Sequence, residues 1–135
     1  MIDHNNAAFH STCFACGAGN KHGLHLEFKD DPKGCSCDVS IPPRFQGYEG
    51  VVHGGIVATM LDAAMVHSLR GQDGDAPVTC RLEVRYLRAV PPGKNITVNA
   101  RRKGKRGRIV LADAELVYSG VCCARARGAF TFSER

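Results

Sequence analysis

Between residues 23 and 30 the chain alternates, with Leu24, Leu26 and Phe28 against His25, Glu27 and Lys29, the period of two that marks a strand with one buried face. Asp31-Pro32-Lys33-Gly34 supplies turn chemistry, and residues 35–41 return as a second strand that ends at Pro42-Pro43. Residues 45–52, with Gly47 and Gly50 among them, then lead into a different pattern. From 54 to 70, Ile56, Val57, Ala58, Met60, Leu61, Ala63, Ala64, Met65, Val66 and Leu69 cover nearly every helical direction. That predicts a helix buried on most sides, stopped by Gly71 and Gly74. Period two then returns: Val78, Cys80, Leu82, Val84 and Tyr86 alternate with Thr79, Arg81, Glu83, Arg85 and Leu87, and Pro91-Pro92-Gly93 turns the chain. Ile96, Val98 and Ala100 run into a basic turn, residues 109–118 form a further strand, and 121–132 close the chain after Ser119-Gly120. About six strands with one long helix after the second predict an α+β domain, a curved antiparallel sheet wrapped around that helix. Its open edges predict a dimer closed by strand pairing.

The length of 135 residues suits a single domain spanning 1–135. No apolar run approaches the roughly 18 residues of a membrane span, and the first ten residues lack the basic lead and apolar stretch of a secretion signal. A cytoplasmic protein with no membrane association is therefore expected. Seven cysteines, at 13, 16, 35, 37, 80, 122 and 123, are an odd number that suits reduced thiols better than a disulfide framework. Cys13-x-x-Cys16 with Cys35-x-Cys37 has four thiols at short spacings, but a C-x-C pair in a strand is not a zinc knuckle, so no metal is expected. The net charge is +5, and Arg101, Arg102, Lys103, Lys105, Arg106 and Arg108 crowd into eight positions. Such an excess attracts anions; with no interleaved aromatic residues to stack on bases, nucleic acid is not the expected partner.

Two features carry candidate chemistry. Asp62 lies within the apolar helix, where a carboxylate is partly desolvated and must be paired or used. A buried Asp satisfied by backbone or by an arginine would give the same pattern. Gly54-Gly55 opens that helix, and two residues without side chains let a ligand approach the unpartnered first-turn N–H groups at the positive end of the helix dipole. A tight turn alone would also account for the two glycines.

The segment Phe45-Gln-Gly-Tyr-Glu-Gly-Val-Val-His-Gly-Gly-Ile-Val-Ala-Thr-Met-Leu-Asp62 resembles the helix entry of PaaI-like hotdog-fold acyl-CoA thioesterases, in which an Asp lies nine residues after the His. Cys13-Phe-Ala-Cys-Gly-Ala-Gly-Asn20 with Gly23-Leu24, and the stretch Arg85-Tyr-Leu-Arg-Ala-Val-Pro-Pro-Gly93, resemble the same group. The resemblance implies a hotdog fold, dimers or dimers of dimers (a homotetramer), no cofactor, and hydrolysis of acyl-CoA thioesters at a subunit interface. It gives the Gly54 N–H the task of polarising the thioester carbonyl, supported by His53, with Gly55 beside the substrate. Asp62 becomes general base or nucleophile, and Thr79, seven residues before Tyr86, the water-orienting hydroxyl. It also makes the C-x-x-C a turn. One departure stands out: many members carry Asn six residues before the His, where this chain has Gly47, and Gln46 is the candidate replacement.

Strand alternation puts Thr79 on the polar face, so its role requires a bulge or a site outside the core. Helix geometry puts about 12 Å of rise between Gly54 and Asp62, too far for both to serve one carbonyl, so each site should combine them from two subunits. The basic turn suits the CoA phosphates, through Arg101, Arg102, Lys103, Lys105, Arg106 and Arg108. Two other functions fit the same fold: an acyl-CoA binder without catalysis, and a hydratase or dehydratase using His53 and Asp62 as its acid/base pair. The other histidines, His4, His10, His22, His25 and His67, have no ligand spacing and read as surface or packing residues.

Overall fold

The computed structural model describes residues 11–70 and 76–133. Helix α1 (Gly54–Leu69) lies against one antiparallel sheet of six strands, β1 (Lys29–Asp31), β2 (Gly34–Ser40), β3 (Ala76–Tyr86), β4 (Asn95–Arg106), β5 (Ile109–Tyr118) and β6 (Val121–Ser133), in the order β1-β2-β4-β5-β6-β3. The helix follows the second strand, as expected. Gly71 and Gly74, the expected helix stops, and His4 and His10 lie outside the described residues.

Val57, Met60, Leu61, Ala64, Met65, Ser68 and Leu69 form the buried stripe of α1 at helical spacing. It meets Ile96 and Val98 of β4, Leu116 of β5 and Phe130 of β6 in a single core. The helix packs against β2 to β6, and its His67 reaches Asp30 of β1 at 3.0 Å. A flat sheet of that width, with strands about 4.8 Å apart, could not reach around a rod about 10 Å across, so the sheet curves about α1. At Gly34 the β2 and β4 backbones approach so closely that an added Cβ would collide with the Ala100 carbonyl oxygen.

Two expectations need correction. The first strand is only Lys29–Asp31. Leu24 and Leu26 are buried as their alternation predicts, but their N–H groups bond the carbonyls of Phe14 (2.6 Å) and Ala15 (2.9 Å) in the N-terminal loop, and His25 between them has φ of 55°. The second correction concerns α1, whose burial is one-sided: Ile56, Ala58, Thr59, Asp62, Ala63 and Val66 are only half-buried. The Cys13–Cys16 segment is a turn closed by the Gly17 N–H on the Cys13 carbonyl at 2.8 Å. Burial pushes the Cys16 thiol up to about 11 and the Cys35 thiol to about 12, so both stay protonated at neutral pH.

Candidate active site

The start of α1 is fixed from three sides. Gln46 and Val52 pair as an isolated bridge, the Val52 N–H donates to the Val90 carbonyl at 2.8 Å, and the His53 N–H to that of Phe45 at 3.0 Å. His53 then caps its own helix: its Nδ1 accepts the Gly55 N–H at 2.9 Å, and its carbonyl accepts from Ile56 and Val57. With Nδ1 an acceptor, the neutral ring carries its proton on Nε2. Among the described residues, the one first-turn N–H left without an acceptor is that of Gly54. Tyr86 of β3 donates its hydroxyl to the Gly54 carbonyl at 2.7 Å. In the sequence Tyr86 stood as a strand residue and as the position from which Thr79 is counted, and no sequence signal gave it this contact.

Two turns further on, the Thr79 hydroxyl donates to Asp62 Oδ1 at 2.7 Å. Burial raises the Asp62 pKa above the ordinary carboxylate value, and the Thr79 hydrogen bond opposes part of that rise. A bulge makes the contact possible. Thr79 pairs with Phe130 but Arg81 with Ala129, so Cys80 is an extra residue in β3. Thr79 and Tyr86 are an odd number of residues apart and would face opposite ways on a regular strand. The extra residue turns both toward α1.

The other expected residues are distributed differently. Gln46 Oε1 accepts the Gly50 N–H at 3.1 Å, bracing the turn before α1, while a Cβ on Gly47 would sit 3.3 Å from the His53 ring. The basic turn is the tip of the β4–β5 hairpin and lies toward the far end of α1. Arg102 donates to the carbonyls of Ser68 and Pro32, both at 2.9 Å, about 20 Å along the helix from Gly54. Its guanidinium thus caps the helix C-terminus. Lys103 lies 3.9 Å from Asp113. Within one chain, Arg101, Lys105, Arg106 and Arg108 are likewise carried on this distant hairpin. Among the described residues no three His, Cys, Asp or Glu side chains are grouped to hold a metal ion, and no helix is long and apolar enough to cross a membrane.

A family model for the thioesterase superfamily matches residues 49–117, more than half of the chain. The chain belongs to the thioesterase superfamily. The match spans the α1 entry, Asp62, Thr79 and Tyr86. Acyl-coenzyme A thioesterase THEM4 of Bos taurus is 32% identical over 94 residues, covering 67% of this chain and 38% of that protein. The chain therefore spans about two fifths of the curated relative it matches. Among solved structures, a phenylacetic acid degradation-related protein of Ralstonia eutropha superposes with TM-score 0.76 at 20% identity, covering 94% of this chain and 99% of that one. Zebra fish thioesterase superfamily member 2 gives TM-score 0.74 at 18% identity, covering 85% and 90%. At such identities the structures speak for the fold, which is the hotdog that the sequence resemblance implied within the thioesterase superfamily.

Proposed function

We propose that the protein hydrolyses acyl-CoA thioesters, with each active site shared between two copies of the chain. The observation that carries this reading is the half-buried Asp62 carboxylate, held by the Thr79 hydroxyl on the same helix that presents the free Gly54 N–H. The Gly54 N–H and His53 Nε2–H polarise the thioester carbonyl. Thr79 occupies Asp62 Oδ1, leaving Oδ2 to take a proton from water. The water oxygen bonds to the carbonyl carbon, the C–S bond breaks, and the proton passes to the departing CoA sulfur. In the nucleophilic variant, Asp62 bonds the carbonyl carbon and the C–S bond breaks to expel the CoA thiolate; water then cleaves the resulting anhydride to the free acid and the Asp62 carboxylate, its proton passing to the thiolate.

Strand β3 supports the sharing. It is the outer strand beside β6, its other edge is unpaired among the described residues, and it exposes Val78 (44%), Leu82 (36%) and Tyr86 (54%). Along it, Thr79 marks Asp62 and Tyr86 marks Gly54. Antiparallel pairing of two β3 edges about a twofold axis sets the Thr79 end of one strand against the Tyr86 end of the other. Asp62 then faces the partner subunit's Gly54, and the half-exposed side of α1 is covered. Mixing Asp62→Asn with a bulky Gly54→Leu variant tests this. Each is inactive alone, but half of randomly exchanged dimers carry one intact site of two, so about a quarter of wild-type activity returns. No recovery, with subunit exchange verified by native mass spectrometry and both variants folded, would place the site within one chain.

A further inference from the structure

The sheet face turned away from α1 carries a second assembly of charged groups that the thioester site does not use. Glu83 and Arg85 of β3, Asn99 and Arg101 of β4, Asp113 and Glu115 of β5, and Arg125 and Arg127 of β6 line a recess of about 580 Å3. The register sets them in two rows across the strands. One runs Arg101, Asp113, Arg127, Glu83, and the other Asn99, Glu115, Arg125, Arg85.

The partners inside this recess are distributed unevenly. Asp113 has Lys103 at 3.9 Å, Glu83 has Arg81 at 3.8 Å, and Glu115 accepts from Asn99 Nδ2 at 3.4 Å. Among the described residues, none of Arg85, Arg101, Arg125 and Arg127 has an ion pair. Arg85 and Arg125 are directly opposed across β3 and β6. Like charges in that position repel unless an anion lies between them. Counting Arg81 and Lys103 at the rim, six cations face three carboxylates.

We infer that this recess binds a phosphorylated small molecule, with its phosphoryl oxygens gripped by the opposed guanidinium forks of Arg85 and Arg125 and assisted by Arg101 and Arg127. Planar forks match phosphoryl oxygens in pairs, and the recess falls within the roughly 300 to 1,000 Å3 range of small-molecule sites. Among the described residues no aromatic side chain lines it, so recognition rests on phosphate rather than on base stacking. Inorganic diphosphate should therefore bind as well as a nucleotide diphosphate does. The source is either the nucleotide tail of the acyl-CoA substrate or a separate phosphorylated effector.

Calorimetric titration of the full chain with inorganic diphosphate tests this without recourse to hydrolysis. Saturable binding that weakens with salt is expected. Arg85→Gln/Arg125→Gln should weaken it roughly tenfold or more, Arg85→Lys/Arg125→Lys should restore part of the loss, and Arg88→Gln, outside the recess, should leave it unchanged. Equal binding by wild type and the Gln pair overturns the inference. So does an absence of diphosphate binding, including the case in which native mass falls in the Gln pair because a second copy covers this face. Kinetics then assign the source. A KM rise in the Gln pair for acyl-CoA, but not for a short acyl thioester without the nucleotide, identifies the substrate tail; unchanged KM values with weakened diphosphate binding identify a separate effector.

Discussion

Thr79→Val isolates the contribution of one hydroxyl to the proposed base. Valine keeps the β-branched shape that suits strand β3 and removes only the donor 2.7 Å from Asp62 Oδ1. Burial already raises the Asp62 pKa, and the Thr79 bond is what holds it down. A base must be ionised, so activity falls as pH drops through that pKa, and loss of the bond moves the fall to higher pH. A hydrogen bond to a charged group contributes about 1.5 to 3 kcal/mol, and this one is exposed, so about 1 kcal/mol is a fair discounted figure. At 1.36 kcal/mol per pH unit, the acid limb of kcat/KM should move up by roughly 0.5 to 1 pH unit. Thr79→Ser should leave the limb where it is in wild type. Loss of thioester absorbance measures the rate without a thiol reagent, which seven cysteines would complicate. An acid limb that stays in place in Thr79→Val, whatever happens to the plateau, would refute the coupling of Thr79 to Asp62 ionisation.

Asp62→Asn should lower hydrolysis at least a hundredfold while leaving neutral-pH melting temperature equal or higher, because the raised pKa means the ionised form costs stability at pH values above it. Retention of more than a tenth of the activity would remove Asp62 from the mechanism. Within the basic hairpin, replacing Arg106 and Arg108 should raise KM for acyl-CoA with kcat little changed. Arg102→Ala should instead lower stability by about 1 to 3 kcal/mol in denaturant titration, since it loses two carbonyl acceptors; equal effects from all three would refute the division. Gly34→Ala should prevent folding or lower melting by well over 10 °C, because neither backbone at the β2–β4 contact can yield, and a wild-type melting curve would contradict the packing there.

The helix, the β2 strand and the last four strands were legible as elements from their hydrophobic period, although α1 is buried along one stripe only and the alternation of β3 is broken at Cys80. Residues 23–28 misled because burial and pairing separated there: Leu24 and Leu26 point inward, but their backbone partners are Phe14 and Ala15 in a loop. Asp62 and Gly54 were legible as a candidate site from the desolvated carboxylate and the glycine-led helix start, and His53 from the resemblance to PaaI-like thioesterases. The position of the hairpin was not, because neither charge nor spacing says toward which end of α1 Arg102 reaches. Nor does spacing distinguish Arg102, turned inward to carbonyls, from Arg101, turned outward into the arginine recess. For Thr79 the alternation left a bulge and a site outside the core both open, and nothing marked Cys80 as the extra residue, since it is in no way an unusual strand residue. The arginine recess escaped notice because Arg85, Arg101 and Arg125 come from three strands and meet only through register.

The extra residue at Cys80 works like a frame shift within a strand. On its C-terminal side Leu82, Val84 and Tyr86 look toward α1 while Arg81, Glu83 and Arg85 look away; on its N-terminal side Thr79 looks in and Val78 looks out. Substitutions can retune any of these residues one at a time. A deletion of Cys80 offers no such gradual route, because one half of β3 would have to exchange faces. Either Thr79 would turn away from Asp62, or Tyr86 would leave Gly54 and the arginines would turn toward the core. Both surfaces of the sheet are thus tied to the length of one strand, and lineages that keep both are expected to vary β3 in residue identity long before they vary it in residue number.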